Sequence, residues 1–296
     1  MSLFSHRYMQ RVFSLLRFCF SLRLVLAMAL GMGMVGGGHR LEAQNHEIGI
    51  GGGGTNFIGD VGDYGFHMPK GWYAGALYRI TYQQYFALRL SGAVGTLENR
   101  DEWSSYSERV NRNLSFRSQI WESSLVLEFN FFRFDPRSTL YNKTFYVYGG
   151  VGVVGFNPEA EYEGVWYELQ PLSTEGQNTT FGKTARYNLI AMTYPFGFGF
   201  KYAPSRRVQL FAEFGGRSTS SDYLDDVGGR YANPNLLAFE MGEVSAALSD
   251  RSFDEANRKG LDRGNPNNDD WYFFTGVGIV WRFTDKAEKC AKFWGR

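Results

Sequence analysis

Between residues 72 and 82 the chain separates by parity, with Trp72, Ala74, Ala76, Tyr78, Ile80 and Tyr82 on one side and Tyr73, Gly75, Leu77, Arg79 and Thr81 on the other. A period of two places alternate side chains on opposite faces of an extended strand. The same division recurs at 85–97 (Phe86, Leu88, Leu90 and Val94 against Arg89 and Ser91) and at 120–133 (Trp121, Leu125, Leu127, Phe129 and Phe131 against Glu122, Ser124, Glu128 and Asn130). It returns at 190–202, where Phe196, Phe198, Phe200 and Tyr202 oppose Gly197, Gly199 and Lys201, and at 208–218, where Val208, Leu210, Ala212 and Phe214 oppose Gln209, Glu213 and Arg217. Residues 271–283 carry Trp271, Phe273, Val277, Ile279, Trp281 and Phe283 on one side. With the glycine-rich stretches 47–57 and 145–156, which alternate less clearly, the pattern predicts eight strands.

Charge decides which face is which. Glu47, Arg79, Arg89, Glu122, Glu128, Lys201, Glu213, Arg217 and Arg282 all fall on the less aromatic parity, and Arg133, at a strand end, is the exception. A soluble sandwich would share the alternation and bury the aromatic face. Length favours the other arrangement, because strands of about 11 to 14 residues exceed the ~5 to 6 of soluble sheets and match the ~9 to 11 tilted residues that cross a bilayer. Aromatics at strand ends (Trp72, Tyr82, Tyr202, Trp271, Phe283) suit interfacial girdles. The links alternate too: long at 58–71, 98–119, 157–189 and 219–270, tight at Gln83-Gln84, modest at 135–144 and short at 203–207. The expected fold is therefore all-β, an eight-stranded antiparallel transmembrane β-barrel with long external loops and both termini in the periplasm. An interior of that size is filled by side chains. Five basic and four acidic inward groups predict an ion-pair network that plugs it, which argues against a diffusion pore.

Composition removes the competing classes. Mean hydropathy is −0.32, and no apolar run approaches the roughly 20 residues of a spanning helix. Aromatics make up 17% of the 296 residues, which excludes a disordered chain. The formal charge of +1 has no basic stripe to meet nucleic acid.

Residues 1–43 have the three parts of a secretory signal peptide: a basic region with Arg7, Arg11, Arg17 and Arg23, an apolar run from Leu24 to Val35, and a cleavage point after Ala43. Its removal takes away five arginines and Glu42 and leaves a mature charge of about −3. The mature chain then reads as a barrel over 44–284 and a periplasmic tail over 285–296. Cys19 leaves with the leader, so Cys290 has no partner within the mature chain and is buried, free or paired with another chain.

Motifs for chemistry are weak. Gly49-x-Gly51-x-x-Gly54 fits a dinucleotide fingerprint, but so do Gly150-x-Gly152-x-x-Gly155 and a stretch of the leader, and none opens a helix after a buried strand. Strand glycines that ease curvature and make room for inward rings explain them, and no cofactor is expected. His46 and His67 are the only histidines after cleavage. His67 would serve a lipid hydrolase on the outer rim, yet no serine is specified beside it; a solvated loop histidine accounts for it. Asp222, Asp225, Asp226 and the Asn265–Asp270 run offer oxygen ligands without the spacing of a dedicated Ca²⁺ loop. No catalytic, cofactor or metal residue is assigned. In the longest loop, Leu237, Met241, Val244 and Leu248 stand at helical spacing and predict one short amphipathic helix over 236–248, either a lid or a partner-binding element.

A resemblance emerges in these loops. Gln170-Pro171-Leu172-x-Thr174-Glu175-Gly176-Gln177, Tyr223-Leu224-Asp225-Asp226-Val227, Arg263-Gly264-Asn265-Pro266 with Asp270-Trp271-Tyr272, and Cys290-x-Lys292-Phe293 in the tail are similar to the PorG-type outer-membrane barrels of the Bacteroidetes type IX secretion system. The resemblance implies a non-enzymatic outer-membrane component of a secretion machine, anchoring a periplasmic ring of a PorK-like lipoprotein and a PorN-like soluble subunit. Lys289, Cys290, Lys292, Phe293 and Trp294 are then the candidate contacts, against the bland reading of a solvated terminus. Two other functions compete: a passive stabilising or ligand-binding barrel, and a lipid-modifying hydrolase.

Overall fold

The computed structural model describes residues 45–283 except Tyr64, Phe66, His67, Gln83, Lys183, Glu255 and Asn267. The leader, its boundary at Ala43, and the tail with Lys289, Cys290, Lys292, Phe293 and Trp294 lie outside the described residues, as does His67.

Among the described residues nine strands form: β1 (Asn45–Ile58), β2 (Gly71–Tyr82), β3 (Phe86–Arg100), β4 (Ser115–Asn130), β5 (Lys143–Tyr162), β6 (Val165–Glu168), β7 (Ile190–Tyr202), β8 (Val208–Thr219) and β9 (Trp271–Arg282). All except β6 pair antiparallel with neighbours on both sides, and β1 closes on β9 from Glu47 opposite Arg282 to Ile58 opposite Trp271. The result is a closed eight-stranded barrel. Closure lets the strands pair their backbone N–H and C=O groups all the way round without water, the condition for a sheet in hydrocarbon. Starting at His46 and following the registers through Ile80, Leu88, Leu127, Gly149, Phe196, Gly216 and Phe273 returns to β1 at Asn56, a stagger of ten residues. Such a stagger goes with strongly tilted strands, about 35 to 45° to the axis. One gap interrupts the ladder: pairing between β5 and β7 skips Gly150 and Val151, at the level of Pro195, which has no N–H to give.

The faces follow parity. Outward-facing Ile50, Leu90, Val94, Leu125, Phe145, Phe198, Val277 and Ile279 are exposed, whereas the inward charges and tyrosines are buried. A continuous exposed apolar belt round a closed barrel is a lipid-facing surface. The barrel is therefore transmembrane. Inward glycines make room for rings, as expected: a Cβ on Gly199 would come within 2.7 Å of the Tyr146 ring and one on Gly197 within 2.8 Å of Tyr148.

Three details depart from the sequence pattern. β4 runs from Ser115 to Asn130 instead of ending at 133, because Phe131 and Phe132 already lie in the turn. β5 continues past the barrel and folds back on β6, through a two-residue turn at Glu163 and Gly164 with φ of 51° and 78°. Positive φ at both central positions suits the twist of a tight hairpin. The helix expected over 236–248 is two helices, Pro234–Met241 and Glu243–Ser249, because Gly242 (φ 95°) breaks it. Leu237 and Leu248 are both buried, one in each half.

The long-loop end is capped. Phe57, Leu97, Phe116, Ile120 and Phe156 from the strands pack with Val61, Leu114, Leu224 and Val227 from the loops into one buried apolar cluster.

Placing Arg at Phe198, in the belt, should cost about 2 to 4 kcal/mol of barrel stability. Ser91→Thr, beside an internal cavity of about 50 Å³, should cost under ~0.5 kcal/mol. Denaturant titration in vesicles, followed by heat-modifiable gel mobility, measures both, and equal losses would reverse the facing of the strands.

Candidate functional site

The lumen is built around Glu128 of β4. Its Oε2 lies 3.0 Å from Arg79 Nε and 2.5 Å from Lys201 Nζ, and its Oε1 lies 3.1 Å from Arg89 Nη1. Alternation puts these four residues on inward positions of β2, β3, β4 and β7, and the tilt brings them to one level. Arg79 Nη1 also reaches Glu47 Oε2 at 3.3 Å, and Arg89 pairs with Glu213. Neutral groups complete the layer: Gln209 Nε2 donates to Glu47 at 2.6 Å, the Tyr146 hydroxyl to Glu213 at 2.5 Å, and Asn130 Oδ1 accepts from Lys201 at 3.1 Å. A second layer centres on Glu122, which accepts from Arg217 Nε at 3.2 Å, the Tyr272 hydroxyl at 2.7 Å and Ser124 Oγ at 3.1 Å. The Arg217 guanidinium also lies 4.0 Å over the Phe274 ring. Arg282 is buried as well. Between the layers lies the cavity of about 50 Å³, lined by Gly75, Ser91, Arg89, Glu122, Glu213 and Arg217. That volume accommodates ordered water and no solute.

Periodicity identified the charges and missed their partners. Tyr146, Tyr148 and Tyr272 point inward, although aromatic character elsewhere marks the lipid face. The usable signal is that Tyr146 and Tyr148 share parity with Thr144 in a glycine-rich strand whose other parity carries Phe145, Val147 and Val151.

Above the barrel, the loop motifs converge. Arg263 donates from Nη1 to the Asp226 carbonyl at 2.6 Å and to Glu175 Oε1 at 3.2 Å, and from Nε to the Ser249 carbonyl at 3.1 Å. Glu175 Oε1 accepts from the Gly228 and Gly229 amides, and Asp226 accepts from Thr174 Oγ1 at 2.5 Å and the Tyr187 hydroxyl at 2.7 Å. Arg112 ties Asp101 to the carbonyls of Asp60 and Arg263. The four long loops thus form one cap.

Beside it stand Asp60, Asp222, Asp225 and Asp270. Asp225 accepts from the Val61 and Val227 amides, Asp270 from Leu224 and Asp60 from Asn265. Burial first, then the neighbouring carboxylates, pushes Asp222 up to about 9 and Asp225 up to about 8. Burial and then Asp225 and Asp222 raise Asp270. Among the described residues no three His, Cys, Asp or Glu side chains stand in metal-binding geometry. His46 Nδ1 lies 2.7 Å from the Tyr78 hydroxyl.

The opposite end has a different character. The three short turns meet there: Asn130 N donates to the Tyr85 carbonyl, Ala203 N to Asn142 and Arg282 N to Arg207. Arg133, Arg137, Lys143, Arg206 and Arg207 are all exposed on these turns, with Phe131, Phe132 and Tyr141 exposed among them. Asp135, in ion pair with Arg137 at 3.1 Å, is the acidic residue of the three turns. Phe283 N donates to the His46 carbonyl, so the chain leaves the barrel at this end.

Comparison with known proteins gives a family. The family model described as "Domain of unknown function (DUF6089)" matches residues 28–247. No curated protein matches the chain. Among solved structures, the N-terminal β-barrel domain of Pseudomonas aeruginosa OprF is similar at 12% identity and TM-score 0.34, covering 81% of this chain and 100% of that one. Ail of Yersinia pestis, in complex with the heparin analogue sucrose octasulfate, is similar at 11% identity and TM-score 0.38, covering 81% and 99%. A major outer membrane protein from Thermus thermophilus is similar at 11% identity and TM-score 0.37, covering 82% and 100%.

Glu128→Gln leaves three buried cations with one carboxylate fewer and should cost about 3 kcal/mol or more. Planar-bilayer recordings should still show no pore, since the interior stays filled; a large stable conductance in the unmodified protein would contradict the plugged lumen. The cap carries its own pH dependence. Asp222 and Asp225 bind protons more tightly folded than unfolded, so they weaken the folded cap progressively as pH rises from about 4, and the loss levels off above their folded values near 8 and 9. Proteolysis within the 219–270 loop should accelerate from pH 5 to pH 9, and Asp222→Asn should flatten the profile.

Proposed function

The chain belongs to the DUF6089 family, a domain of unknown function, and we propose that it is a non-enzymatic outer-membrane anchor in a protein-secretion machine. In this reading the short-turn end faces the periplasm and holds a ring made of a PorK-like lipoprotein and a PorN-like soluble subunit. The observation that carries it is the cluster of exposed Arg133, Arg137, Lys143, Arg206 and Arg207 with Phe131, Phe132 and Tyr141 on that end. Cationic side chains interleaved with exposed aromatics suit an acidic protein surface, where arginine and aromatic residues supply most of the binding energy. The filled lumen supports an anchor over a conduit. The loop motifs that resemble PorG-type barrels, at Thr174–Gln177, Tyr223–Val227 and Arg263–Pro266, supply the secretion context. In this reading Lys289, Cys290, Lys292, Phe293 and Trp294 of the tail would add to the contact.

Two strains test this. In one, Arg133, Arg206 and Arg207 become Glu; in the other, the chain is truncated after Thr284. Both proteins should insert normally, judged by heat-modifiable mobility. Recovery of the ring lipoprotein by affinity purification in mild detergent should fall roughly five- to tenfold in the charge-reversed strain, with slower association, and secreted cargo should fall with it. Truncation should weaken recovery further, and Cys290→Ser should abolish any disulfide-linked adduct on a non-reducing gel. Normal ring recovery and secretion in both strains would leave a passive or ligand-binding barrel as the better description.

A further inference from the structure

Past the belt, the outward parity of β3 to β6 turns from apolar to polar. The registers set Glu98 opposite Arg117, Arg117 opposite Glu159, Arg100 opposite Ser115, and Glu161 opposite Trp166, so these side chains share one face of the extended sheet. Arg117 pairs with Glu159 at 2.8 Å and lies 3.8 Å over the Trp166 ring, which fixes the indole. A cavity of about 240 Å³ opens on this face, lined by Glu98, Arg100, Ser115, Glu161, Trp166 and Arg251. Arg251 arrives from the fourth long loop and donates from Nη1 to Ser115 Oγ at 2.9 Å. Burial, and then the charge of nearby Arg100, lowers the Arg251 pKa, so two guanidinium groups share the crevice. The β5–β6 turn adds Glu163 to the lining.

The chemistry of the lining selects a ligand class. Three carboxylates disfavour an anion, and two guanidinium groups disfavour a cation. A polar wall gives an aliphatic ligand little. A neutral polyhydroxyl ring suits all of it: its hydroxyls donate to Glu98, Glu161 and Glu163 and accept from Arg100 and Arg251, while its C–H face lies on the Trp166 indole. The volume, just under the ~300 Å³ at which drug-sized pockets begin, fits one or two sugar rings. We propose that this crevice is a binding site for a neutral saccharide. Glu98 follows Val94, exposed in the belt, by four residues on the same parity, about 13 Å further along the strand, so the site stands just beyond the apolar belt. The saccharide would thus come either from the headgroup of a glycolipid in the same leaflet or from a free glycan. The inference rests on the barrel and its loops and not on the secretion reading.

The test uses the full mature barrel in detergent micelles, with galactose and N-acetylglucosamine as neutral probes and glucuronate and glucosamine as charged ones, followed by saturation-transfer NMR. The neutral sugars should bind saturably and more tightly than either charged sugar. Trp166→Ala and Glu161→Gln should each weaken binding about tenfold or more, with heat-modifiable mobility unchanged, and Glu243→Gln, on the helix Glu243–Ser249, should have no effect. Glycolipid that co-purifies with the wild type and is lost in Trp166→Ala identifies the headgroup as the source; binding of soluble oligosaccharide without such enrichment identifies a free glycan. No saturable binding of any neutral sugar, a preference for the charged probes, or equal binding by wild type and Trp166→Ala would overturn the proposal.

Discussion

A sheet in hydrocarbon has no water to satisfy an unpaired edge, and the pairing of β1 with β9 is the contact that removes the edge here. Everything inside the barrel follows from that closure. Eight strands with a ten-residue stagger leave an interior that side chains fill, and half of every strand must point into it. Apolar residues could fill it, but this chain uses charge, and charge in a dry interior is tolerable only when paired. Glu128 meets Arg79, Arg89 and Lys201, so cations on β2, β3 and β7 converge on a carboxylate of β4. The network ties strands across the lumen as the ladders tie them round it, and it forms only when the barrel closes in the correct register. A slip of one residue would turn these charges into lipid.

The two ends solve different problems with the same strands. At the short-turn end the turns leave little chain to pack, and the ion-pair layer lies close beneath exposed arginines and aromatics. At the long-loop end the inward parity becomes apolar, and Phe57, Leu97, Phe116 and Phe156 make a floor on which the loops fold. Arg263 and Arg112 then lock the loops to one another through carbonyls and carboxylates. One end presents long cationic side chains among aromatics; the other presents a folded surface with shaped crevices.

The strands were legible because the same constraint acts on one strand after another. Rings toward lipid and charges toward the lumen repeat at Arg79, Arg89, Glu122, Glu128, Lys201, Glu213, Arg217 and Arg282, and each repetition strengthens the parity. Where the environment changes within a strand, the signal fades. β5 passes from the apolar belt to a polar surface, so Glu159 and Glu161 occupy the parity that Val147 and Val151 hold lower down, and its pairing with β6 was not visible. Tyr146 and Tyr272 were hidden because a tyrosine serves either face, presenting its ring to lipid or its hydroxyl to a carboxylate. The cap was hidden for a third reason. Thr174 with Asp226 and Glu175 with Arg263 are separated by 52 and 88 residues, and no local pattern records such pairings. The loop motifs could be recognised as motifs, but only the fold shows that they touch. Gly242 was readable in principle, since a glycine inside a helical pattern is a break whenever tertiary contacts pull the two halves to different positions.

Function must therefore be sought at the ends. The cavity of about 50 Å³ among the luminal ion pairs has room for water and not for a solute, and the belt offers lipid only its apolar side chains. What distinguishes this barrel from any other closed eight-stranded sheet lies beyond the belt: five exposed cations among aromatics on one side, and on the other a sheet extension with an indole clamped beneath a guanidinium. A cation cluster needs no fixed geometry to attract an acidic partner, because its field acts before contact. A crevice needs geometry above all, and β5 supplies it by running 20 residues without interruption from the short-turn end to the β5–β6 hairpin. The strand that carries Tyr146 in the lumen therefore also holds Glu161 in the crevice. The rigidity that closure imposes on the barrel is passed directly to the surface it displays.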